Sequence, residues 1–357
     1  MKKAMPRYQS LYEKIRDDIT GGFYPCGTRI PSKRTSAEEN GMSLVTVEHA
    51  YELLAEEGYI ESRQRQGYFV IYQEGELFSG EREALPKPEG VSGVTEDAFP
   101  FSVFSSTARK VLADYGERIM ERPEGTGCLQ LREALAMYLA RSRNMYVSPE
   151  QIVIGSGAES MYAAVIRFLG RDQIYGIEDP SYEKILYTYR YEGIQVDQLK
   201  MGSCGILSEE LRRTEAKVLH VTPYHSYPSG LTADASKKAE YIRWAKKRSG
   251  MIIEDDYDSE FTLSTKAEQT LYSMDPDERV IYLNTFTKTI APSIRVSYMV
   301  LPKNKTDEYL EKASHLSSSV PLYSQLILSE IISSGSFERH LNRVRRRRRK
   351  EKAVNHR

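Results

Sequence analysis

Hydrophobic positions recur at helical spacing three times within the first 60 residues. They predict helices over residues 8–19 and 32–39 and a third helix that Ser43 can cap, with Gly21 ending the first. Two short strand-like runs within residues 56–71, joined by a polar stretch, follow the third helix. Three short helices followed by a hairpin are the order of a winged helix-turn-helix.

From Phe99 onward, short apolar runs alternate with helical stretches. The runs predict strands at 152–154, 174–177, 194–196, 218–222, 251–253, 280–283 and 297–300. Such alternation is typical of a parallel sheet covered on both faces. We therefore predict an α/β fold in which a winged helix-turn-helix precedes a mostly parallel seven-stranded sheet covered by helices.

Composition changes sharply between these two patterns. Residues 73–98 contain Glu, Gly, Pro and Ser with little periodicity, which predicts a linker. We accordingly assign residues 1–72 to the winged domain, 99–345 to the α/β domain and 346–357 to a basic tail.

The overall composition is that of a soluble globular protein. Hydrophobic residues make up 40% of the 357 positions and charged residues 28%. No apolar run approaches the roughly 20 residues that cross a bilayer, and the N-terminus lacks the apolar core of a signal peptide. The three cysteines are isolated and not spaced as metal ligands. These features predict a reduced, cytoplasmic protein with no metal site.

A formal net charge of zero conceals an uneven distribution. Residues 339–357 contain ten basic side chains and one acidic one, which leaves 40 basic and 49 acidic residues before them. Residues 1–72 contain ten of each sign. Whole-chain charge therefore does not indicate nucleic-acid binding, and only local motifs can.

The first 72 residues contain a motif series that resembles the DNA-binding domain of the GntR family. G-x-R-I-P-S begins at Gly27, A-Y-E-x-L-x-x-E-G-Y-I-E begins at Ala50, and a glycine lies in the wing. The resemblance implies that the helix from Ser43 to Leu54 enters the major groove. It assigns DNA contacts to Ser32, Arg34, Ser43, Thr46, Arg65 and Gly67.

One position departs from the GntR pattern. Leu44 stands where family members commonly have an arginine directly after the serine that begins the recognition helix. Leucine cannot make the bidentate contact to guanine that contributes about 1–3 kcal/mol of discrimination. A small winged domain used for protein contacts is the competing interpretation.

The segment NTFTKTIAPSIRVSYMVLP resembles fold type I aminotransferases, which depend on pyridoxal 5'-phosphate (PLP). A lysine between one strand's end and the next strand can project into a cleft at the sheet's carboxyl edge. The resemblance implies that Lys288 binds PLP covalently as the catalytic residue and that Arg295 binds its phosphate. Thr285 or Thr287 would add a hydroxyl to the same phosphate.

Two further motifs match that family in order. IIEDDYDSEF follows an apolar strand with a cluster of acids, and the match places Asp255 at the pyridine nitrogen and Tyr257 at the phenolic oxygen of PLP. A metal site or a solvated loop is the competing interpretation of the acids. In IVIGSGAES, the backbone N–H groups of Gly157, Ala158 and Glu159 begin a helix and favour a phosphate.

Two loops supply candidates for the rest of the site. The resemblance implies that the Tyr182 ring stacks on the cofactor; the alternative is that Tyr182 is a buried core tyrosine. It also implies that Lys184 binds a carboxylate of the ligand. His225 or Tyr227 would line the ring edge, although a packed loop histidine is the other interpretation of His225. Cys128 departs from the family pattern, because it replaces a tyrosine that helps to build the site across the dimer interface.

A GntR-type head before an aminotransferase-like body resembles the MocR group. The resemblance implies a cytoplasmic homodimer that binds double-stranded DNA, uses PLP to sense an amine or amino acid and regulates transcription, with no membrane partner. The alternative is a PLP-dependent aminotransferase, which moves an amino group from an amino acid to a keto acid, with a regulatory DNA-binding domain. A third hypothesis is an inert remnant that binds neither cofactor nor DNA and takes part only in interactions with other proteins.

The C-terminal region departs most from the family. Relatives continue into a small C-terminal domain that holds the arginine for the substrate's α-carboxylate, and this domain is largely missing here. We therefore expect a C-terminally truncated or frameshifted protein with weak or no transaminase activity. A solvated charged helix and a DNA-binding tail are the other interpretations of the basic run.

Overall fold

Two compact units divide the chain, Met1–Val91 and Ser92–Arg357. The structure, a computed structural model, describes residues 6–64, 66–72, 97–262 and 269–355. Most of the predicted linker and the predicted DNA contact Arg65 lie outside these described residues. Within the described ranges, no helix combines the length and apolar character that a bilayer crossing needs.

The first unit contains three helices and a two-stranded wing. Its elements are α1 (Arg7–Thr20), α2 (Lys33–Asn40), α3 (Leu44–Glu56), β1 (Ile60–Arg63) and β2 (Gly67–Val70). The two strands pair antiparallel, with Ile60 opposite Val70. The predicted order of three helices and a hairpin is therefore confirmed.

Serine hydroxyls cap the starts of α2 and α3. The Thr35 N–H donates to Ser32 Oγ over 3.1 Å, and the Thr46 N–H donates to Ser43 Oγ over 3.2 Å. Each cap satisfies a backbone donor that has no partner within its own helix. The sequence prediction that Ser43 begins the third helix is therefore confirmed.

One apolar core holds the first unit together. It contains Leu11, Ile15, Ile19, Ile30, Val47, Ala50, Tyr51, Leu54, Ile60 and Val70. The hydroxyl of the fully buried Tyr51 donates to the Pro31 carbonyl over 2.8 Å, which ties α3 to the start of α2. Because α3 buries one face, its other face, with Leu44, Val45 and His49, is exposed.

An eight-stranded sheet forms the centre of the second unit. Its strands are β3 (Ile152–Gly155), β4 (Tyr175–Asp179), β5 (Val196–Gly202), β6 (Gly205–Ile206), β7 (Val218–Val221), β8 (Met251–Asp255), β9 (Val280–Thr285) and β10 (Ser297–Val300). Their order is β3-β10-β9-β8-β7-β4-β5-β6. β4, β5, β7, β8 and β9 pair parallel, whereas β10 is antiparallel to β3 and β9, and β6 to β5.

The sheet differs from the seven-stranded prediction at one edge. The eighth strand, β6, has only two residues, too few to register as an apolar run. The prediction placed the neighbouring strand at 194–196, whereas β5 begins at Val196. Most side chains of β5 are partly or fully exposed, so its residues form no apolar run that could mark the strand. The mostly parallel α/β architecture is otherwise confirmed.

Helices cover both faces of this sheet. They are α4 (Phe101–Tyr115), α5 (Leu129–Arg143), α6 (Ala158–Leu169), α7 (Glu183–Tyr191), α8 (Ser208–Arg213), α9 (Ala235–Arg248), α10 (Leu271–Met274), α11 (Lys303–Ala313), α12 (Leu322–Ser333) and α13 (Ser336–Asn355). Helices α6, α7 and α11 pack on one face, and α5, α9, α12 and α13 pack on the other. Ile252 and Ile253, adjacent on β8, accordingly belong to cores on opposite faces.

The basic run belongs to a long helix that packs on the body. Helix α13 continues from Ser336 to Asn355, so the predicted boundary between residues 345 and 346 falls within a single helix. Arg347 and Arg348 both form ion pairs with Asp97, and the Arg348 guanidinium lies 4.6 Å from the centre of the Phe261 ring. The basic run is therefore only partly solvated, because its inner face binds an acidic and an aromatic side chain.

Candidate functional site

The strand directions bring five loops to one edge of the sheet. The parallel strands β4, β7, β8 and β9 all end at this edge. β3 ends there as well and β10 begins there, because β10 is antiparallel to both β3 and β9. Ligands of open α/β sheets bind outside the carboxyl ends of the strands.

A cavity of about 280 Å³ lies at this edge. Its lining residues are Ala158, Glu159, Tyr162, Tyr182, Lys184, Ile185, Thr222, Tyr227, Asp255, Tyr257, Thr285, Thr287, Lys288 and Arg295. The structure thus brings together all of the residues predicted to bind the cofactor except Gly157, which does not line the cavity but lies close to Arg295. Of the three predicted ligand-binding residues, Lys184 and Tyr227 line the cavity and His225 does not.

Lys288 lies beside an aromatic ring and a carboxylate. Its Nζ is 4.2 Å from the centre of the Tyr257 ring and 3.3 Å from Asp258 Oδ1. The lysine side chain is 47% exposed, so a small molecule in the cavity can reach its amine. The Tyr257 hydroxyl donates to the His225 carbonyl over 2.6 Å, which fixes the ring beneath the lysine.

Arg295 lies at the N-terminus of α6. A side chain added at Gly157, whose φ is +81°, would place its Cβ 2.5 Å from Arg295 Nη2. Glycine at position 157 therefore lets the guanidinium approach the first turn of the helix. The backbone N–H groups of that turn have no acceptor within the helix, so they and Arg295 together make this turn a candidate anion site.

Glu159 joins two cationic side chains at this anion site. Its Oε1 lies 2.7 Å from Lys184 Nζ and its Oε2 lies 2.7 Å from Arg295 Nη2. The hydrogen bonds from Lys184 and Arg295 lower the pKa of the Glu159 carboxyl, although partial burial acts in the opposite direction. The site therefore contains a negative side chain as well as positive ones.

Asp255 is a buried carboxylate at the end of β8. It is 5% exposed, and the Tyr162 hydroxyl donates to its Oδ2 over 2.5 Å. Nε2 of the buried His220 lies 3.6 Å from the same oxygen. Burial, followed by the charge of Asp255, raises the pKa of Tyr162 well above its usual range, so this phenol stays protonated as a donor.

The acids that surround Asp255 do not form a solvated loop. Glu254, Asp256 and Glu260 are each at most 4% exposed. The guanidinium of the buried Arg143 lies 3.6 Å from Asp256 and 3.2 Å from Glu260, and it compensates their charge. The described residues contain no group of three His, Cys, Asp or Glu side chains that could hold a metal ion.

The two tyrosine candidates lie together at the mouth of the cavity. The rings of Tyr182 and Tyr227 meet edge to face at 5.8 Å, and both side chains are exposed. Tyr182 is therefore not a buried core tyrosine. His225 has a left-handed backbone, with φ +49°, and its Nδ1 lies 3.0 Å from Asp258 Oδ2. His225 contacts the site through its imidazole, which pairs with Asp258, and through its carbonyl, which accepts from Tyr257.

The predicted DNA-reading residues lie on α2, α3 and the wing of the first unit. Ser32, Arg34 and Ser43 are exposed, while Thr46 is half-buried in the first turn of α3, where its hydroxyl lies 2.8 Å from Ser43 Oγ. Gly67 has φ +105°, and an added Cβ would lie 3.0 Å from Arg29 Nε. Glycine there lets the wing turn close beside this arginine.

Several site residues were not predicted from the sequence. Tyr162, Ile185 and Thr222 line the cavity, and Asp258 contacts Lys288. Tyr162 lies one helical turn beyond Ala158. This spacing could have indicated that Tyr162 also faces the cavity, because residues four apart share a helix face. The contact between Asp258 and Lys288 had no such signal, since 30 residues separate the two along the chain.

Comparison with known proteins matches both units. The family described as bacterial regulatory proteins, gntR family, matches residues 7–70, and aminotransferase class I and II matches residues 99–354. The uncharacterized HTH-type transcriptional regulator YdeL of Bacillus subtilis is 31% identical over 98% of this chain and 78% of its own length. The probable rhizopine catabolism regulatory protein MocR of Rhizobium meliloti is 28% identical over 96% of this chain and 75% of its own length.

Solved structures resemble the second unit. Kynurenine aminotransferase of Pyrococcus horikoshii is 23% identical with a TM-score of 0.63, over 70% of this chain. This chain covers 64% of that enzyme's length, so it spans less than two thirds of the enzyme. At this identity the similarity shows the fold alone. The predicted resemblances to the GntR family, to fold type I aminotransferases and to the MocR group are confirmed.

Proposed function

Because this chain belongs to the MocR-type transcriptional regulators, in which a GntR domain precedes an aminotransferase class I and II domain, we propose that its second unit binds PLP and senses an amine or amino acid. The first unit would bind double-stranded DNA, and the chain would act as a homodimer in the cytoplasm. A homodimer would present two winged domains to paired half-sites.

The observation that carries the cofactor proposal is the convergence of three groups in one cavity. Asp255 ends β8, whereas Lys288 and Arg295 lie on the connection from β9 to β10, and all three line the cavity. They are respectively an amine, a carboxylate and a planar cation, which suit an aldehyde, a protonated pyridine and a phosphate. The residues present therefore fit PLP.

The chain's own residues would divide the binding between them. Arg295 and the first-turn N–H groups of α6 would hold the phosphate, with Thr285 and Thr287, whose hydroxyls lie 2.9 Å apart, near it. Asp255, oriented by the Tyr162 hydroxyl, would hold a proton on the pyridine nitrogen. When bound, PLP supplies an electrophilic carbon and an electron sink for amines.

Sensing requires a ligand that competes with the lysine for PLP. Lys288 would hold the cofactor covalently, and an incoming amine would replace its nitrogen and free the lysine. Tyr182 and Tyr227, at the mouth of the cavity, would contact that amine's side chain. A ligand of this kind can change the regulator only through different affinities for two arrangements of the protein.

The decisive experiment is visible absorption of the purified 357-residue protein with added PLP, beside the Lys288→Ala variant. A band that appears in the first and is missing in the second supports covalent binding at Lys288. No band in either protein contradicts the cofactor proposal. An amine that changes the band then identifies the chemistry of the effector.

The aminotransferase alternative requires the same lysine and is tested separately. The specific observation in its favour is the exposed amine of Lys288 within reach of the cavity. Amino-group transfer to a keto acid that is lost in Lys288→Ala would favour the enzyme. A spectral response to amines without any transfer would favour the sensor.

A further inference from the structure

Glu159 places a negative charge in the anion site that we assign to phosphate. Its two carboxylate oxygens each contact a different cation, Lys184 Nζ and Arg295 Nη2, both at 2.7 Å. The Glu159 side chain is 35% exposed. The hydrogen bond from Lys184, with help from Arg295, lowers the pKa of Glu159, so the charge is present at neutral pH.

A phosphate bound at the start of α6 would require the guanidinium that Glu159 already binds. A Cβ added at Gly157 would lie 2.5 Å from Arg295 Nη2, so this guanidinium lies at the helix N-terminus. A carboxylate and a phosphate that share one cation also repel each other. The phosphate must therefore displace the carboxylate from Arg295 or accept it as an unfavourable neighbour.

Lys184 offers the displaced carboxylate a place to remain. It lies on α7, is 54% exposed, and its Nζ sits 5.9 Å from the centre of the Tyr182 ring. A long, exposed lysine can move with its partner, because its methylene chain has several rotatable bonds. The contact with Arg295 can therefore break while the contact with Lys184 is kept.

We propose that Glu159 is an internal counter-anion of the phosphate site. Its carboxylate holds Arg295 in the free protein, releases that arginine to the phosphate of the cofactor, and keeps its ion pair with Lys184. Glu159 thereby weakens binding of phosphorylated ligands selectively and makes occupancy of the site depend on ligand concentration. This inference rests on the proposed function, because it takes PLP as the ligand of the cavity.

The test compares PLP with pyridoxal, which has the same ring and aldehyde but no phosphate. Both are titrated into the full chain and into Glu159→Gln, and binding is followed by visible absorption. Removal of the charge should lower the dissociation constant for PLP about tenfold, whereas that for pyridoxal should change less than about twofold. Inorganic phosphate alone should also raise the melting temperature of Glu159→Gln more than that of the unmodified chain.

Matched variants separate charge from folding. Glu183→Gln makes the same chemical change at an exposed position in the first turn of α7, where the glutamate has no contact with Arg295, and it should leave both affinities unchanged. Circular dichroism identifies any variant that fails to fold. Glu159→Ala then serves as the second variant, with the same selective gain for PLP expected.

The outcomes distinguish this inference from the proposed function. Binding of PLP to the unmodified chain with no gain, or with a loss, in Glu159→Gln overturns the counter-anion role alone. An equal gain for pyridoxal also overturns it, since the effect would not involve the phosphate. Failure of the unmodified chain and both variants to bind PLP overturns the proposed cofactor, and the counter-anion role with it.

Discussion

Lys288 Nζ lies 3.3 Å from Asp258 Oδ1, and the other oxygen of the same carboxylate lies 3.0 Å from His225 Nδ1. One side chain thus connects the proposed covalent lysine with a loop whose histidine has a left-handed backbone. The contact holds the amine of Lys288 beside the Tyr257 ring at the cavity. Asp258 is therefore placed to orient the amine of Lys288.

Gly157→Ala should weaken PLP binding by at least about tenfold. The added methyl would lie 2.5 Å from Arg295 Nη2, so the guanidinium would have to leave the N-terminus of α6. Titration with PLP measures the effect. Gly170→Ala is the control, because Gly170 ends the same helix with φ +99° but an added Cβ meets nothing within 4 Å.

Both glycine variants strain the backbone, because both positions have a positive φ, but only Gly157→Ala brings a methyl group into contact with Arg295. Strain of this kind costs on the order of 1–3 kcal/mol of stability in either variant. Gly170→Ala should therefore lower the melting temperature and keep its PLP affinity. Equal losses of PLP affinity in both variants would show that strain, and not the position of Arg295, controls the site.

Glu178 should make the protein less stable as pH rises toward neutrality. It is 3% exposed, accepts hydrogen bonds from Ser226 Oγ and the Thr222 N–H, and burial raises its pKa to about 7. Between the ordinary glutamate pKa and this value, the folded state binds more protons than the unfolded state. The free energy of unfolding therefore falls as pH rises, by about 2–3 kcal/mol from this group between about pH 5 and pH 8.

Glu178→Gln isolates this contribution, because the amide resembles the protonated carboxyl at every pH. Denaturant unfolding at several pH values should show a shallower decline for the variant across the same interval. The two proteins should be most similar near pH 5, where the glutamate in the folded state is protonated. Parallel curves for the two proteins would refute a raised pKa at Glu178.

Arg34→Ala should weaken DNA binding without a change in sequence preference. Arg34 is exposed on α2 and is predicted to contact a phosphate or the minor groove, and this variant tests the phosphate contact. Loss of one phosphate contact should reduce the slope of log affinity against log salt by about one. Mixed-sequence duplex DNA suffices as the probe, since the contact does not depend on base sequence.

Arg16→Ala provides the matched loss of charge in the same unit. Arg16 lies on α1, and its guanidinium already pairs with Asp17 at 2.8 Å. The Arg16→Ala variant should leave the slope of log affinity against log salt nearly unchanged. An equal change in slope for both variants would indicate that only the unit's net charge matters and that Arg34 makes no contact of its own.

Local pattern was sufficient for the winged domain. The signals for its helices connect residues fewer than about five positions apart. They are the apolar spacing within α3 and the serines Ser32 and Ser43, which cap α2 and α3 in the structure. The strands of the second unit were placed by the same means, except at the edge. There β5 is mostly exposed and β6 has two residues, so hydrophobicity carried no signal.

The buried charges were beyond such reasoning. The run of acids from Glu254 to Glu260 predicted electrostatic repulsion, but its buried counterion, Arg143, comes from the end of α5. No spacing rule connects residues more than 100 positions apart. Burial of ions is stable only when the partner is correctly placed, and that placement depends on the packing of α5 against the sheet.

The sequence by itself determined the two-unit organisation, the order of elements and the identity of the chemical groups, because periodicity, capping and motif order are local properties. Only the tertiary structure decided which groups meet. Parallel strand directions collect Lys288, Asp255 and Arg295 at one edge, and the same convergence places Glu159 between Arg295 and Lys184. Contact between side chains from different strands depends on the three-dimensional path of the chain, and that path decides whether an acidic residue such as Glu159 is solvated or forms ion pairs with two cationic side chains.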